Sequence, residues 1–283
     1  MARLSHLIGM SCCLVGLVGG GVAHHSLGAQ SSLTVRLEKW LQVQSLMGQV
    51  TFTSQGQSRS AKVGDRLQQV GDTITTATNA RTTLIVDTNI GTVEVAEKTR
   101  LQVQALTKVG DQGRITRLLM PYGRARLRLR QFTSPKTRFE IETPTGVGAV
   151  RGTDFGITLQ PGGKMSFATL DGAIESQAQG KTVAVPAGFQ NFIMPGHPPT
   201  PPVPLRDNLN LVYDFQRKLV NGKRQITLVG QVDPVNMVTV NDQPQSTDEQ
   251  GRFFLVLPAV SYPKVSVVII TPLGREKRYD LAF

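Results

Sequence analysis

Cysteine is nearly absent from this 283-residue chain, and its two examples, Cys12 and Cys13, both lie in an apolar N-terminal segment. Once that segment is removed, neither a disulfide nor thiolate chemistry is available. Histidine is equally scarce: His6 belongs to the same segment, His24 and His25 follow it, and His197 sits among prolines. No patterned segment therefore offers an imidazole for general-base or metal work. Adjacent histidines at a chain end, His24 and His25, carry no metal-site expectation. Helical periodicity is almost missing, so no phosphate-cradling glycine loop can open onto a helix. Glu140 and Glu142 share a strand face and imitate a carboxylate pair, but ordinary surface acids have the same spacing. No catalytic residue, metal site or cofactor is expected, and the chain reads as a non-enzyme.

The first residues set the compartment. Arg3 precedes an uncharged stretch, Leu7 to Ala23, that ends in the small-x-small pattern Gly21-Val22-Ala23, with Leu27-Gly28-Ala29 as a second possible site. A basic start, a short apolar core and small residues at its end describe a cleaved signal peptide over residues 1–23. The alternative is an uncleaved anchor, but seventeen residues with five glycines span a bilayer poorly. Gly9-Met10-Ser11 lacks the leucine that a lipoprotein site before Cys12 would carry. The expected location is the periplasm or the exterior, where a domain without disulfides relies on its own hydrophobic core.

Acidic residues are missing where basic ones crowd. Lys98–Arg138 holds eleven Lys and Arg against Asp111 alone, within a chain of formal charge +11. A basic surface fits nucleic acid, anionic lipid or acidic polymer. Export excludes nucleic acid and leaves an envelope protein or an anionic envelope polymer as the partner. The sharpest local pattern is Arg124, Arg126, Arg128 and Arg130, alternating with Ala125, Leu127 and Leu129. In a strand the arginines project from one face at roughly 7 Å intervals while the apolar residues point to the core. Like charges along one face repel, and no matching acidic ladder is visible in the sequence. The face is a candidate surface for an anion or acidic partner, and its plain alternative is a solvated strand.

Proline marks the division of the chain. Six of the sixteen prolines fall between Met194 and Pro204. Such a run favours polyproline II and reads as a semi-rigid spacer able to span about 30 Å. It separates a first domain, residues 31–193, from a second, residues 208–283, with residues 194–207 as the linker. Both read as all-β. Gln49–Thr53, Thr82–Val86, Gly91–Val95, Ala168–Leu170, Ala173–Glu175 and Thr182–Val185 alternate with period two between turn signals, as in a sandwich or stacked β architecture. Leu33–Leu41 fits helix or strand and is read as strand because it runs directly into the next one. After the linker, Gly230-x-Val232-Asp233-Pro234, Val238-x-Val240-Asn241 and Gly251-x-Phe253 resemble a small immunoglobulin-like sandwich.

One stretch resembles a known family. Thr143-Pro144 followed by Val150-Arg151-Gly152-Thr153-x-Phe155, then Leu170-Asp171-Gly172 and Val185-Pro186-Ala187-Gly188, is similar to the FecR-domain signature. The likeness runs from near Gly48 to near Phe192. Pro144 pushes Thr143 into extended backbone, and Arg151 beside Gly152 could fork onto backbone carbonyls or onto a carboxylate, with Asp154, Glu140 and Glu142 as candidates. The motif is read as fixing the fold, with ligand contact as the alternative. The resemblance implies a membrane regulator whose periplasmic part receives a signal and whose cytoplasmic part controls a sigma factor. Here only Met1–His6 precede the apolar segment, so sigma-factor control is not expected. A non-catalytic interaction or sensor-type adaptor of the envelope is expected, with binding of anionic polymer through the arginine face as the alternative.

Overall fold

A computed structural model describes residues 40–87, 90–110, 113–220, 222–257 and 264–282. The expected signal segment and most of Leu33–Leu41 lie outside these residues. The architecture is all-β, and among the described residues no helix is long and apolar enough to cross a membrane.

Seventeen strands build the first part: β1 (Leu41–Met47), β2 (Val50–Ser54), β3 (Gln57–Ser60), β4 (Arg66–Leu67), β5 (Thr73–Thr76), β6 (Arg81–Val86), β7 (Gly91–Val95), β8 (Thr99–Val109), β9 (Gly113–Leu129), β10 (Arg138–Glu142), β11 (Val147–Val150), β12 (Asp154–Leu159), β13 (Met165–Asp171), β14 (Ala173–Ala178), β15 (Lys181–Pro186), β16 (Phe189–Ile193) and β17 (Val203–Pro204). They form two sheets that share β9. Sheet A runs β4-β1-β6-β7-β9-β12-β13-β16-β17. Sheet B runs β3-β2-β5-β8-β9-β10-β11-β14-β15, and β10 alone lies parallel to its neighbour β9.

Strand β9 is long enough to serve both sheets because it turns a corner at glycine. Its first part pairs with β8 as far as Tyr122, and its last part pairs with β7 from Ala125. Gly123 between them has φ +107°, and an added Cβ would meet Thr99 Oγ1 at 2.3 Å. Only glycine allows that backbone and that approach. The inward residues of the two sheets interdigitate in one core: Leu84, Val93, Leu127, Phe155 and Ile157 from sheet A, and Ile74, Leu101, Val103, Phe139 and Ile141 from sheet B. Period-two alternation places each of them on the buried side.

Among the described residues the second part has seven strands, β18 (Val212–Val220), β19 (Lys223–Gln231), β20 (Met237–Val240), β21 (Gln243–Gln245), β22 (Arg252–Leu257), β23 (Lys264–Ile270) and β24 (Glu276–Ala282). They pair as β18-β19-β22 and β21-β20-β23-β24 around a separate core that includes Leu228, Val238, Phe253, Val267 and Ile269.

The proline-rich run is not an open bridge of about 30 Å. It folds back along the edge of sheet A, where β17 pairs with β16. Thr200 fastens it there: its hydroxyl donates to Phe192 O at 2.9 Å, and its amide reaches the same oxygen at 3.0 Å. Proline is tolerated because this is an edge, where the missing donors cost no ladder bond. The two parts meet within one compact unit, Glu38–Phe283.

Candidate functional site

The family-like motif is assembled at the ends of β10, β11 and β12. Thr143 closes the β10–β11 turn. Its amide donates to Gly146 O at 2.9 Å, and its hydroxyl accepts from the amides of Thr145 and Gly146, both at 3.2 Å. Pro144 is exposed at the tip. Val150 and Phe155 are buried in the core. Thr153 is fully buried and its hydroxyl donates to Ala173 O at 3.1 Å. Gly152, at φ +121°, presses on the backbone of Gln131, whose Cα would lie 2.3 Å from an added Cβ.

Arg151 departs from expectation. Its side chain is exposed, and among the described residues it makes no hydrogen bond or ion pair. The three carboxylates proposed for it are held by other arginines. Asp154 takes Arg126, while Glu140 and Glu142 take Arg117 at 2.7 and 2.9 Å, and Glu140 also takes Arg138 at 2.7 Å. Arg151 contributes its backbone instead, its carbonyl accepting from Phe132 N at 2.9 Å.

The arginine face takes shape differently from its reading as an isolated ladder. Ala125, Leu127 and Leu129 point into the core, and Arg124, Arg126 and Arg128 stand on the outer face of sheet A. Arg130 lies beyond the end of β9 and is exposed. Acids do match the ladder, supplied by the strands on either side. Arg126 makes a two-pronged contact with Asp154 of β12, Nε and Nη2 each 3.1 Å from a carboxylate oxygen. Arg128 pairs with Glu94 of β7. The sequence hid these partners because they lie 28 and 34 residues away.

Arg124 is the exception. It is half-buried and makes no side-chain hydrogen bond or ion pair among the described residues. Burial lowers its pKa, opposed at longer range by Glu276, Glu97 and Glu94. Its guanidinium lies against Gly274, in the turn between β23 and β24. The ladder thus runs from open surface at Arg128 into the crease between the two parts of the molecule.

That crease is the feature sequence reading missed. Past Asp154, the outward residues of β12 are Gly156, Thr158 and the following Gln160, small or polar, and all three are buried by the second part. An added Cβ on Gly156 would lie 2.0 Å from Pro272 O. The Gln160 amide donates to Asn236 O at 2.9 Å and accepts from Thr247 N at 2.9 Å. Gln190 donates to Asp233 at 2.9 Å. Lys164 is 1% exposed, donates to Asp248 O at 2.7 Å and Thr247 Oγ1 at 3.0 Å, and lies over the Phe192 ring. Burial pulls its pKa down to about 8. The available signal was a strand with apolar residues inside and, past Asp154, uncharged residues outside, which suits a covered face better than a wet one.

His197 is exposed beside Pro195 O, and no group of three or more metal-ligating side chains occurs among the described residues. Residues 72–175 match the family model described as FecR protein. The chain carries a FecR domain. The match covers β5 into β14, so the folded sandwich extends past the matched FecR residues on both sides. No curated protein matches the chain. Among solved structures, two crystal structures of a proposed anti-sigma factor from Parabacteroides distasonis ATCC 8503 resemble it. They share 14% and 13% identity, cover 51% and 52% of this chain and 68% of theirs, and give a TM-score of 0.39.

Proposed function

We propose that this chain is an exported, non-catalytic adaptor of sensor type, in which a FecR domain and an immunoglobulin-like module work as one docked pair. The carrying observation is the covered outer face of sheet A, where Gln160, Lys164 and Gln190 meet the module through buried polar contacts. Interfaces of this polar kind resemble those of transient complexes more than those of permanent ones, so relative movement of the parts is the ordinary expectation. A partner that binds one part can then bias the other. The immunoglobulin-like reading of the module rests on its strand order, three strands facing four with antiparallel pairing throughout.

Export is proposed from the signal-like segment, and N-terminal sequencing of the native protein reads it directly. The adaptor role is tested by crosslinking the chain in its native envelope and identifying what it holds. A defined protein partner, retained at high salt, supports the proposal. Retention of acidic polymer alone, lost as salt rises, would overturn it, as would an intact Met1 in a cytoplasmic fraction.

A further inference from the structure

Beside the docked face the two parts separate and leave a cleft of about 1060 Å³. One wall is the outer face of sheet A at β6, β7 and β9. The other is the outer face of the module at β20, β23 and β24. Two contacts tie the walls together. Lys98 Nζ donates to Asp242 O at 2.9 Å, and Arg126 Nη1 reaches Leu273 O at 3.4 Å. The volume lies just above the range of about 300–1,000 Å³ for ligand sites.

Charges of both signs line this cleft, and two of them, one on each wall, stand without an ion pair. Among the described residues neither Arg124 nor Glu276, on the module wall, makes an ion pair or side-chain hydrogen bond, and Glu276 acts on Arg124 only at longer range. The other cleft carboxylate near Arg124 on the first part, Glu94, is taken by Arg128, and Glu97 accepts from Asn79 N at 2.6 Å. An unpaired guanidinium half-withdrawn from water gains strongly from a carboxylate that can be gripped by two N–H groups. Arg81, Lys98 and Arg278 add positive charge to this lining and Glu97, Asp242 and Glu276 negative charge, so it suits a ligand carrying both an anion and donors better than a polyanion. A sugar chain would find no aromatic ring among the described residues of either wall to stack against. A peptide has both of the groups required, a carboxylate and N–H donors.

We propose that the cleft binds a short peptide segment whose carboxylate seats on Arg124 while its amide or amine donors face Glu276. The carboxylate belongs to a free C-terminus or to an Asp or Glu side chain. Occupation would bridge the two walls and so link ligand binding to the docking of the two parts.

The test uses the purified full chain, immobilised and exposed to a random hexapeptide library with free C-termini. A second arm uses the same library amidated, and a third uses oligogalacturonate. The retained material is identified. Retention of peptides by the wild type, falling about tenfold for Arg124→Gln, is expected from the loss of a charge-assisted contact. Loss in the amidated arm assigns the C-terminal carboxylate, whereas enrichment of Asp or Glu there assigns a side chain. Thr83→Trp, which fills the cleft and leaves Arg124 in place, should abolish retention too. Melting curves of both variants should match the wild type. Equal retention by Arg124→Gln with its fold intact, retention of oligogalacturonate alone, or no retained peptide would overturn the proposal. Because the buffer is defined, these outcomes are independent of what the envelope crosslinking yields.

Discussion

At the residue scale, Arg151 and Gly152 are adjacent and do opposite things. The arginine side chain stands in water, whereas the glycine is forced by φ +121° and by the Gln131 backbone 2.3 Å from where a Cβ would sit. Arg151→Ala should change unfolding free energy by no more than about 0.5 kcal/mol, as exposed substitutions do. Gly152→Ala should cost about 2–4 kcal/mol, since backbone strain and overlap act together. Urea midpoints of the two variants decide the matter, and a larger loss for Arg151→Ala would mean the side chain has a partner in solution. Thr153→Val tests the same corner more gently. It keeps shape but removes the part-buried hydrogen bond to the Ala173 carbonyl, a loss of about 0.5–1.5 kcal/mol.

At the element scale, β12 carries two interfaces at once, Phe155, Ile157 and Leu159 toward the core and Gly156, Thr158 and Gln160 toward the module. Gly156→Val should therefore leave the FecR sandwich folded and undock the module, because the new side chain meets Pro272 O and not the core. Limited proteolysis reads this: wild type should resist cutting across 194–204, and the variant should be cut there while both fragments keep β-type circular dichroism. Cutting of the wild type at the same rate would show that the edge contacts of Thr200 do not hold the run in place. The sequence disclosed much at this scale. Period-two patterning located β2, β6, β7, β14 and β15, and the alternation of Arg124–Leu129 gave the correct inward face. It did not disclose the corner at Gly123, which depends on Thr99 coming close. Nor did it show that Glu94 and Asp154 flank the ladder, because pairing between distant strands leaves no local trace. Proline content alone suggested an extended spacer, and the tether through Thr200 overrode that tendency.

At the scale of the whole molecule, docking buries Lys164, an ammonium group with no carboxylate in direct contact. Around it stand Thr247 Oγ1, Asp248 O and the Phe192 ring, with the carboxylates of Asp248, Asp233 and Glu249 attracting it from farther off. Asp248 is itself engaged by Arg252 at 2.8 Å. Desolvation is the dominant effect, and it brings the amine from 10.5 to about 8. The sign follows from proton counting. Between pH 8 and 10.5 the undocked or unfolded state binds more protons than the docked one, so stability rises with pH through this window. Below pH 8 both states are charged, and the docked state bears the full cost of about 3 kcal/mol. Lys164→Met keeps the length of the side chain and removes the charge, and an apolar replacement of a buried ion is often neutral or stabilising. The variant should therefore be at least as stable as wild type at pH 7, and its advantage should shrink as pH climbs from 8 toward 10. Parallel denaturation series at pH 7, 8, 9 and 10 measure that convergence. Parallel, non-converging curves would show that Lys164 remains hydrated, and with it that the crease between the two parts is open to water in solution.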